Sequence, residues 1–284
     1  MNRGLNILRR SSIFKDLSKL SFDYVPEDLP GREKEIEKMG ILFRPVIYNK
    51  MGQNALIRGP VGSGKTVVVK RFCNMLKEVG LDNNRRIEWK HINCRTRKSE
   101  SMVMLSILRH FDERFPDRGF SIPEMMEILK KHIKKRECHL VIALDEADVL
   151  LKKSGSDLIY SFTRLQEEDT DLLGAISLIL VSQKSLMDLL DGAALSTFKR
   201  TNILEFGRYD QETLKDIVDQ RIDMAFRPNV VEGGVSEMIS SMAEEYGDAR
   251  FAIELLEKAG MVAEEKGNEK VTPEHARYAK ADVK

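Results

Sequence analysis

One octapeptide constrains the fold of this chain more than any other part of it. Residues 59–66 read GPVGSGKT and match the pattern G-x-x-x-x-G-K-[ST]. The apolar run NALIR precedes it, and a helical pattern carrying Val67, Val68 and Phe72 follows. Strand, glycine loop and helix in that order make a cradle for phosphate oxygens. Glycines let successive backbone N–H groups point inward, and the start of the helix adds partial positive charge. The cradle comprises Pro60, Val61, Gly62, Ser63, Gly64, Lys65, Thr66 and Val67. Lys65 is placed to reach the β and γ phosphates, and the Thr66 hydroxyl to bind Mg²⁺.

Such a loop needs a sheet to carry it. Short apolar runs at 54–59, 88–94, 139–146, 175–183 and 202–206 predict strands. Helical patterns at 65–79, 99–114, 122–136 and 156–168 separate them, and 31–49 reads as a further helix. Alternating strands and helices indicate an α/β fold with a parallel sheet covered on both faces. From Tyr209 onward the pattern is helical only, at about 210–226, 232–246, 248–266 and 272–281, as periodicity reads it. Asp210 and Thr272 read as caps, and Pro273 suits a first helical position. The expected organisation is an α/β domain at 1–208, opening on a basic arm, and a helical domain at 209–284.

The stretch LVIALDEAD (140–148) runs an apolar strand into the acid pair Asp145-Glu146. Ligands gather at the carboxyl ends of parallel strands. Asp145 is placed to hold Mg²⁺ and Glu146 to polarise an attacking water. The competing reading makes one acid a helix cap and leaves the other solvated. The strand LILVSQ (178–183) ends in Gln183, whose amide suits the γ-phosphate or the lytic water. Polar residues also end many strands for no such reason.

Charge and cysteine content bound the remaining possibilities. The 284 residues carry 46 Lys+Arg against 45 Asp+Glu, so the chain is not coated in basic groups. A local patch is still open. Arg85, Arg86, Lys90, Arg95, Arg97 and Lys98 concentrate in one stretch, while Lys130, Lys131, Lys134, Lys135 and Arg136 read as the solvated face of a helix. No apolar run approaches the roughly 20 residues of a membrane span. The amino terminus, MNRGLNILRRSSIFK, has no signal-peptide pattern. Cys73, Cys94 and Cys138 form neither a disulfide framework nor a zinc site, which points to a reducing, cytoplasmic setting.

Taken in order, YVPEDLPGREKEI (24–36), the phosphate loop, HINCRT (91–96), VIALDEAD, LEFGRYDQETLKDIVDQR (204–221) and GDARFAIELLEKAG (247–260) resemble the AAA+ ATPases. Within them the chain is similar to the archaeal origin-recognition (ORC/CDC-type) replication initiators. The resemblance implies an AAA+ P-loop NTPase core with a parallel five-stranded sheet and a small all-helical lid. It implies ATP or ADP with Mg²⁺, slow ATP hydrolysis used as a switch, and a nucleoid setting. The implied partners are double-stranded origin DNA, the replicative helicase and other initiator subunits. Val25, Pro26, Leu29 and Arg32 match positions around adenine and ribose, and Tyr209 and Arg221 match lid positions near the nucleotide. Arg250 matches a sensor of the γ-phosphate. An arginine in the first turn of a helix opposes the helix dipole, and a phosphate beneath it offsets that cost. A surface arginine, or one paired with Glu254, is the alternative. Arg200 matches an arginine that acts in trans on a neighbour's nucleotide; a solvated Lys199-Arg200 pair is the alternative. Arg95, Arg97 and Lys98 fall where relatives touch the DNA minor groove.

Two departures from the family pattern stand out. The family ends its sensor strand in Asn where this chain has Gln183. The family also continues into a winged-helix DNA-binding domain, whereas this sequence stops at Lys284, so that domain is expected to be absent. The competing functions are a clamp-loader subunit, whose Ser-Arg-Cys signature is missing, a transposition-type ATPase, and a nucleotide-gated module without turnover.

Overall fold

The computed structural model of the protein describes residues 12–168, 172, 174–196, 198 and 202–282. The basic arm before residue 12, and Lys199 and Arg200, lie outside the described residues. The chain divides into two compact units. One is a sheet unit of Lys34–Pro60 and Val68–Phe206; the other joins the described residues up to Glu33, Val61–Val67 and those from Gly207 onward.

In the sheet unit the strands are β1 (Asn54–Arg58), β2 (Ile87–Asn93), β3 (His139–Asp145), β4 (Ile176–Ser182) and β5 (Ile203–Glu205). All pair in parallel, in the order β2-β3-β4-β1-β5. This is the parallel five-stranded sheet expected from the sequence. Every residue of β3 and β4 is buried, as strands covered on both faces require. That burial is why Leu140–Leu144 and Leu178–Val181 are apolar runs rather than alternating ones. Asp145 pairs with Val181 and Arg58 with Ser182, so the carboxyl ends of β1, β3 and β4 are level along one edge.

The helices up to Phe206 are α1 (Glu33–Tyr48), α2 (Lys65–Asp82), α3 (Glu100–Phe111), α4 (Ile122–Arg136), α5 (Ala147–Ser154), α6 (Asp157–Glu168) and α7 (Gly192–Ser196). Ser99 caps α3, and Ser121 with Glu124 forms a capping box on α4. Leu108, Leu129, Leu140, Phe162 and Leu178 belong to one buried core. The sequence did not indicate α5 or α7. With eight and five residues, they are too short for a helical period to repeat.

In the second unit α8 (Gln211–Ala225), α9 (Val235–Glu244), α10 (Ala249–Lys266) and α11 (Pro273–Asp282) pack around Leu214, Val218, Ile239, Leu255 and Leu256. Phe14 and Leu20, from the amino-terminal segment, complete that core. Phe14 bridges Phe226 in antiparallel fashion, with ring centroids 4.7 Å apart. Lys15 and Asp16 both donate backbone hydrogen bonds to the Ala225 carbonyl, at 2.7 and 3.0 Å. Residues 12–33 therefore group with the helices after 207 rather than with the sheet.

Candidate nucleotide-binding site

The second unit holds a cavity that starts at the glycine loop. Gly62 and Gly64 have φ of +70° and +82°, a backbone region that side chains disfavour. A Cβ on Gly62 would run into the Asp248 carboxylate, and one on Gly64 into the Tyr209 hydroxyl. Only glycine fits either place. Lys65 is almost fully buried, its Nζ 3.5 Å from Ser63 Oγ. Lys65, Thr66 and Val67 line the cavity.

The start of α10 is fastened to this loop. Asp248 caps the helix by accepting from Arg250 N at 2.8 Å and Phe251 N at 3.3 Å. Ala249 N donates to the Gly62 carbonyl at 3.2 Å. The exposed Arg250 side chain thereby joins Lys65 on the cavity wall. Among the described residues it forms no ion pair with Glu254.

Arg221 reaches the same cavity from α8, whose cap is Asp210. It is 5% exposed. One terminal nitrogen donates to the Lys19 carbonyl at 2.8 Å, and the guanidinium lies 4.9 Å from the centre of the Tyr24 ring. Its Nε is buried with no hydrogen-bond partner among the described residues. Burial lowers its pKa from the ordinary arginine value. Phe22, Tyr24, Pro26, Leu29, Ile217 and Ile253 give the cavity an apolar wall, and among the described residues no carboxylate lines it. Three cations together with apolar and aromatic side chains suit a flat base bearing phosphates. The glycine cradle and the orphaned Arg221 Nε–H fit such a group as well.

Not every residue anticipated around the nucleotide lines this cavity. Val25, Arg32, Pro60, Val61 and Ser63 do not line the cavity. Arg32 braces its surroundings instead: it donates to the Ser63 carbonyl at 2.9 Å and the Gly207 carbonyl at 2.7 Å, with its guanidinium 3.9 Å from the centre of the Tyr209 ring. Phe22, Tyr24, Ile217 and Ile253 were missed in the sequence. The spacing of Ile217 before Arg221, one helical turn, was the available signal.

In the sheet unit the acid pair ends β3. Asp145 is 5% exposed, with His91 Nε2 3.1 Å from its Oδ2 and Glu146 N donating to its Oδ1 at 2.9 Å. Glu146 has φ +54° and ψ +42°, unusual for a residue with a side chain, and makes no side-chain cap to α5. Its carboxylate instead meets Arg95 Nε at 2.9 Å. Burial, helped by the charges of Asp145, Glu146 and Asp148, pushes the Cys94 thiol up to about 12. Gln183 is exposed in a bend beyond β4. Arg97 and Lys98 are exposed between β2 and α3. Among the described residues no helix is long and apolar enough to cross a membrane.

Comparison with known proteins agrees with this architecture. Residues 50–190 match the AAA domain family, and residues 215–281 match the Cdc6 AAA+ ATPase-type lid domain. The chain is 36% identical to an ORC1-type DNA replication protein of Pyrococcus abyssi, over 98% of this chain and 67% of that protein. An ORC1-type DNA replication protein 1 of Archaeoglobus fulgidus is 32% identical, over 98% and 68%. Among solved structures, the Aeropyrum pernix ORC1 protein in complex with DNA is similar with a TM-score of 0.86 and 31% identity, covering 96% of this chain and 71% of that one. Cdc6p from Pyrobaculum aerophilum gives a TM-score of 0.82 at 25% identity, covering 96% and 72%. With its AAA+ sheet and Cdc6-type lid, the chain belongs to the family of ORC1-type DNA replication proteins.

Proposed function

We propose that this chain is a nucleotide-switched replication initiator. It binds ATP or ADP with Mg²⁺, hydrolyses ATP slowly, recognises double-stranded origin DNA and helps recruit or load the replicative helicase beside other initiator subunits. The observation that carries this reading is the convergence of Lys65, Arg221 and Arg250 on one cavity with an apolar wall. Lys65 takes the β and γ phosphates. The Thr66 hydroxyl and Asp145 would hold Mg²⁺, which would supply charge neutralisation for the phosphates. Glu146 polarises water, and Gln183 hydrogen-bonds the γ-phosphate or that water. Arg250 feels the γ-phosphate, so loss of that group frees the lid helix that carries it. Arg200 acts on a neighbour's nucleotide. DNA binding is supported by the similar Aeropyrum pernix ORC1 protein, which was solved in complex with DNA, and Arg95, Arg97 and Lys98 are the residues assigned to that contact. The setting is the nucleoid of the cytoplasm.

Binding of fluorescent ADP and ATP to the unsubstituted chain and to Lys65→Ala tests the first step. Nucleotide at a hundred times its Kd is expected to stabilise the unsubstituted chain by about 2.7 kcal/mol. Equal binding by both proteins removes the reading. The Arg95–Glu146 pair favours a second one, a nucleotide-gated module without turnover, because it occupies the carboxylate that water would need. Glu146→Gln decides between them. In a hydrolase it removes turnover and keeps ATP bound, whereas a module shows no turnover in either form.

A further inference from the structure

The basic residues around Arg86 and those around Lys135 stand far apart in sequence. The sheet unit brings them to one face. β2 spans roughly 23 Å at about 3.3 Å per residue, so Arg86 before it and Arg95 after it sit at opposite edges of the sheet. At the Arg86 edge two open cavities share that residue. One, of about 440 Å³, is lined by Arg86, Phe111, His132, Lys135 and Arg136, with Asp112 and Glu137; the other, of about 500 Å³, includes Lys77, Arg85 and Glu88.

The walls are built rather than loose. The Arg136 guanidinium lies 4.8 Å from the centre of the Phe111 ring and donates to the Phe111 carbonyl. His132 stacks on the same ring with centroids 5.5 Å apart. Of the carboxylates facing the groove, Glu88 is already engaged by Arg86 at 3.0 Å and His110 at 3.3 Å. Lys77 and Lys135 are exposed and make no ion pair with a described residue. Across the two cavities five cationic side chains, Lys77, Arg85, Arg86, Lys135 and Arg136, stand against three carboxylates, Glu88, Asp112 and Glu137. Burial lowers both histidine pKa values; at His132 Arg136 and Lys135 add to it against Asp112, whereas at His110 Glu88 opposes it more than Lys90 and Arg136 support it. The Phe111 ring is covered by Arg136 and His132, so the groove offers charge without a free stacking surface. That combination contacts a phosphate backbone and does not read bases.

We propose that this groove is a track for the phosphate backbone of duplex DNA, distinct from the loop of Arg95, Arg97 and Lys98 at the other edge. The proposal rests on the DNA-binding part of the proposed function. Its test is fluorescence anisotropy of a labelled duplex of about 20 base pairs and arbitrary sequence, titrated with the chain at several salt concentrations. The variants are Lys77→Gln/Lys135→Gln, the charge-keeping Lys77→Arg/Lys135→Arg, and Lys152→Gln/Lys153→Gln as a control with the same charge loss on α5. The glutamine pair is expected to bind about 10-fold more weakly, with a log–log salt slope shallower by about 2. The arginine pair and the control stay within about twofold of the unsubstituted chain. If the Lys77/Lys135 glutamine pair binds like the control, the groove is not a track and this inference falls while the DNA reading stands. If the unsubstituted chain binds no duplex, the DNA reading falls and takes the inference with it.

Discussion

Glu146 is held in a backbone conformation that its side chain opposes. For a residue with a Cβ, the left-handed region costs about 1–2 kcal/mol. Its ion pair with Arg95 recovers little, because Arg95 is 63% exposed and such pairs contribute about 0–1 kcal/mol. Strain of this kind clusters at functional positions. Two substitutions separate strain from chemistry. Glu146→Gly is expected to leave stability unchanged or raise it by about 1 kcal/mol, since glycine accepts φ +54° without cost. Glu146→Val is expected to lower stability by about 1 kcal/mol or more, because a β-branched side chain tolerates that region worst. Both should abolish ATP turnover. Thermal melts beside a phosphate-release assay check this, and a glycine variant clearly less stable than the valine variant would contradict the strain argument.

Among the elements, the amino-terminal segment depends on one close approach. On α10, Gly260 packs so tightly that a Cβ there would run into the ring of Phe14 and press on Phe226. Both rings are buried, so making room means displacing one of them from the core. Gly260→Ala is therefore expected to destabilise the second unit by about 1–3 kcal/mol, the usual cost of overpacking. Protease cleavage after Lys15 or Lys19 should accelerate with it, and an unchanged cleavage rate would argue against the docking. This contact also marks where the sequence stops being legible. The phosphate loop, the buried strands β3 and β4, and the cap Asp210 were readable because each is a local pattern set by neighbouring residues. Docking of Phe14 on Gly260, stacking of Tyr24 with Arg221 and pairing of Arg95 with Glu146 are not local. Each joins residues far apart in the chain, and no period or spacing encodes them. Arg32 shows the same limit. Its position was readable, but its bonds to the Ser63 and Gly207 carbonyls were not.

For the molecule as a whole, the buried titratable groups predict how it responds to chemistry and to acid. Burial raises all three thiols above their usual range, Cys138 to about 11 and Cys94 to about 12. They should resist alkylation at pH 8 in the native chain and all react once it unfolds, since only the thiolate attacks. Acid should act mainly through His139, the first residue of β3. It is fully buried against Ser177 Oγ, with 2.8 Å to its Nε2. Burial, with the nearby charge of Arg85, drives its pKa down to about 3. An unfolded histidine titrates near pH 6.5, so between those values the unfolded chain holds a proton that the folded chain does not. Stability from this group is fully present above pH ~6.5 and is lost as pH falls toward about 3, at about 1.4 kcal/mol per pH unit. His110 and His132, also lowered mainly by burial, push in the same direction. Urea unfolding followed by Trp89, the single tryptophan, on β2 of the same unit, reads this directly. Between pH 7 and pH 5 the unsubstituted chain is expected to lose about 2 kcal/mol through His139. His139→Asn starts less stable, because it leaves a void, but should lose that much less over the same interval. An equal loss in both proteins would mean that the histidine is protonated in the fold and that the burial argument is wrong.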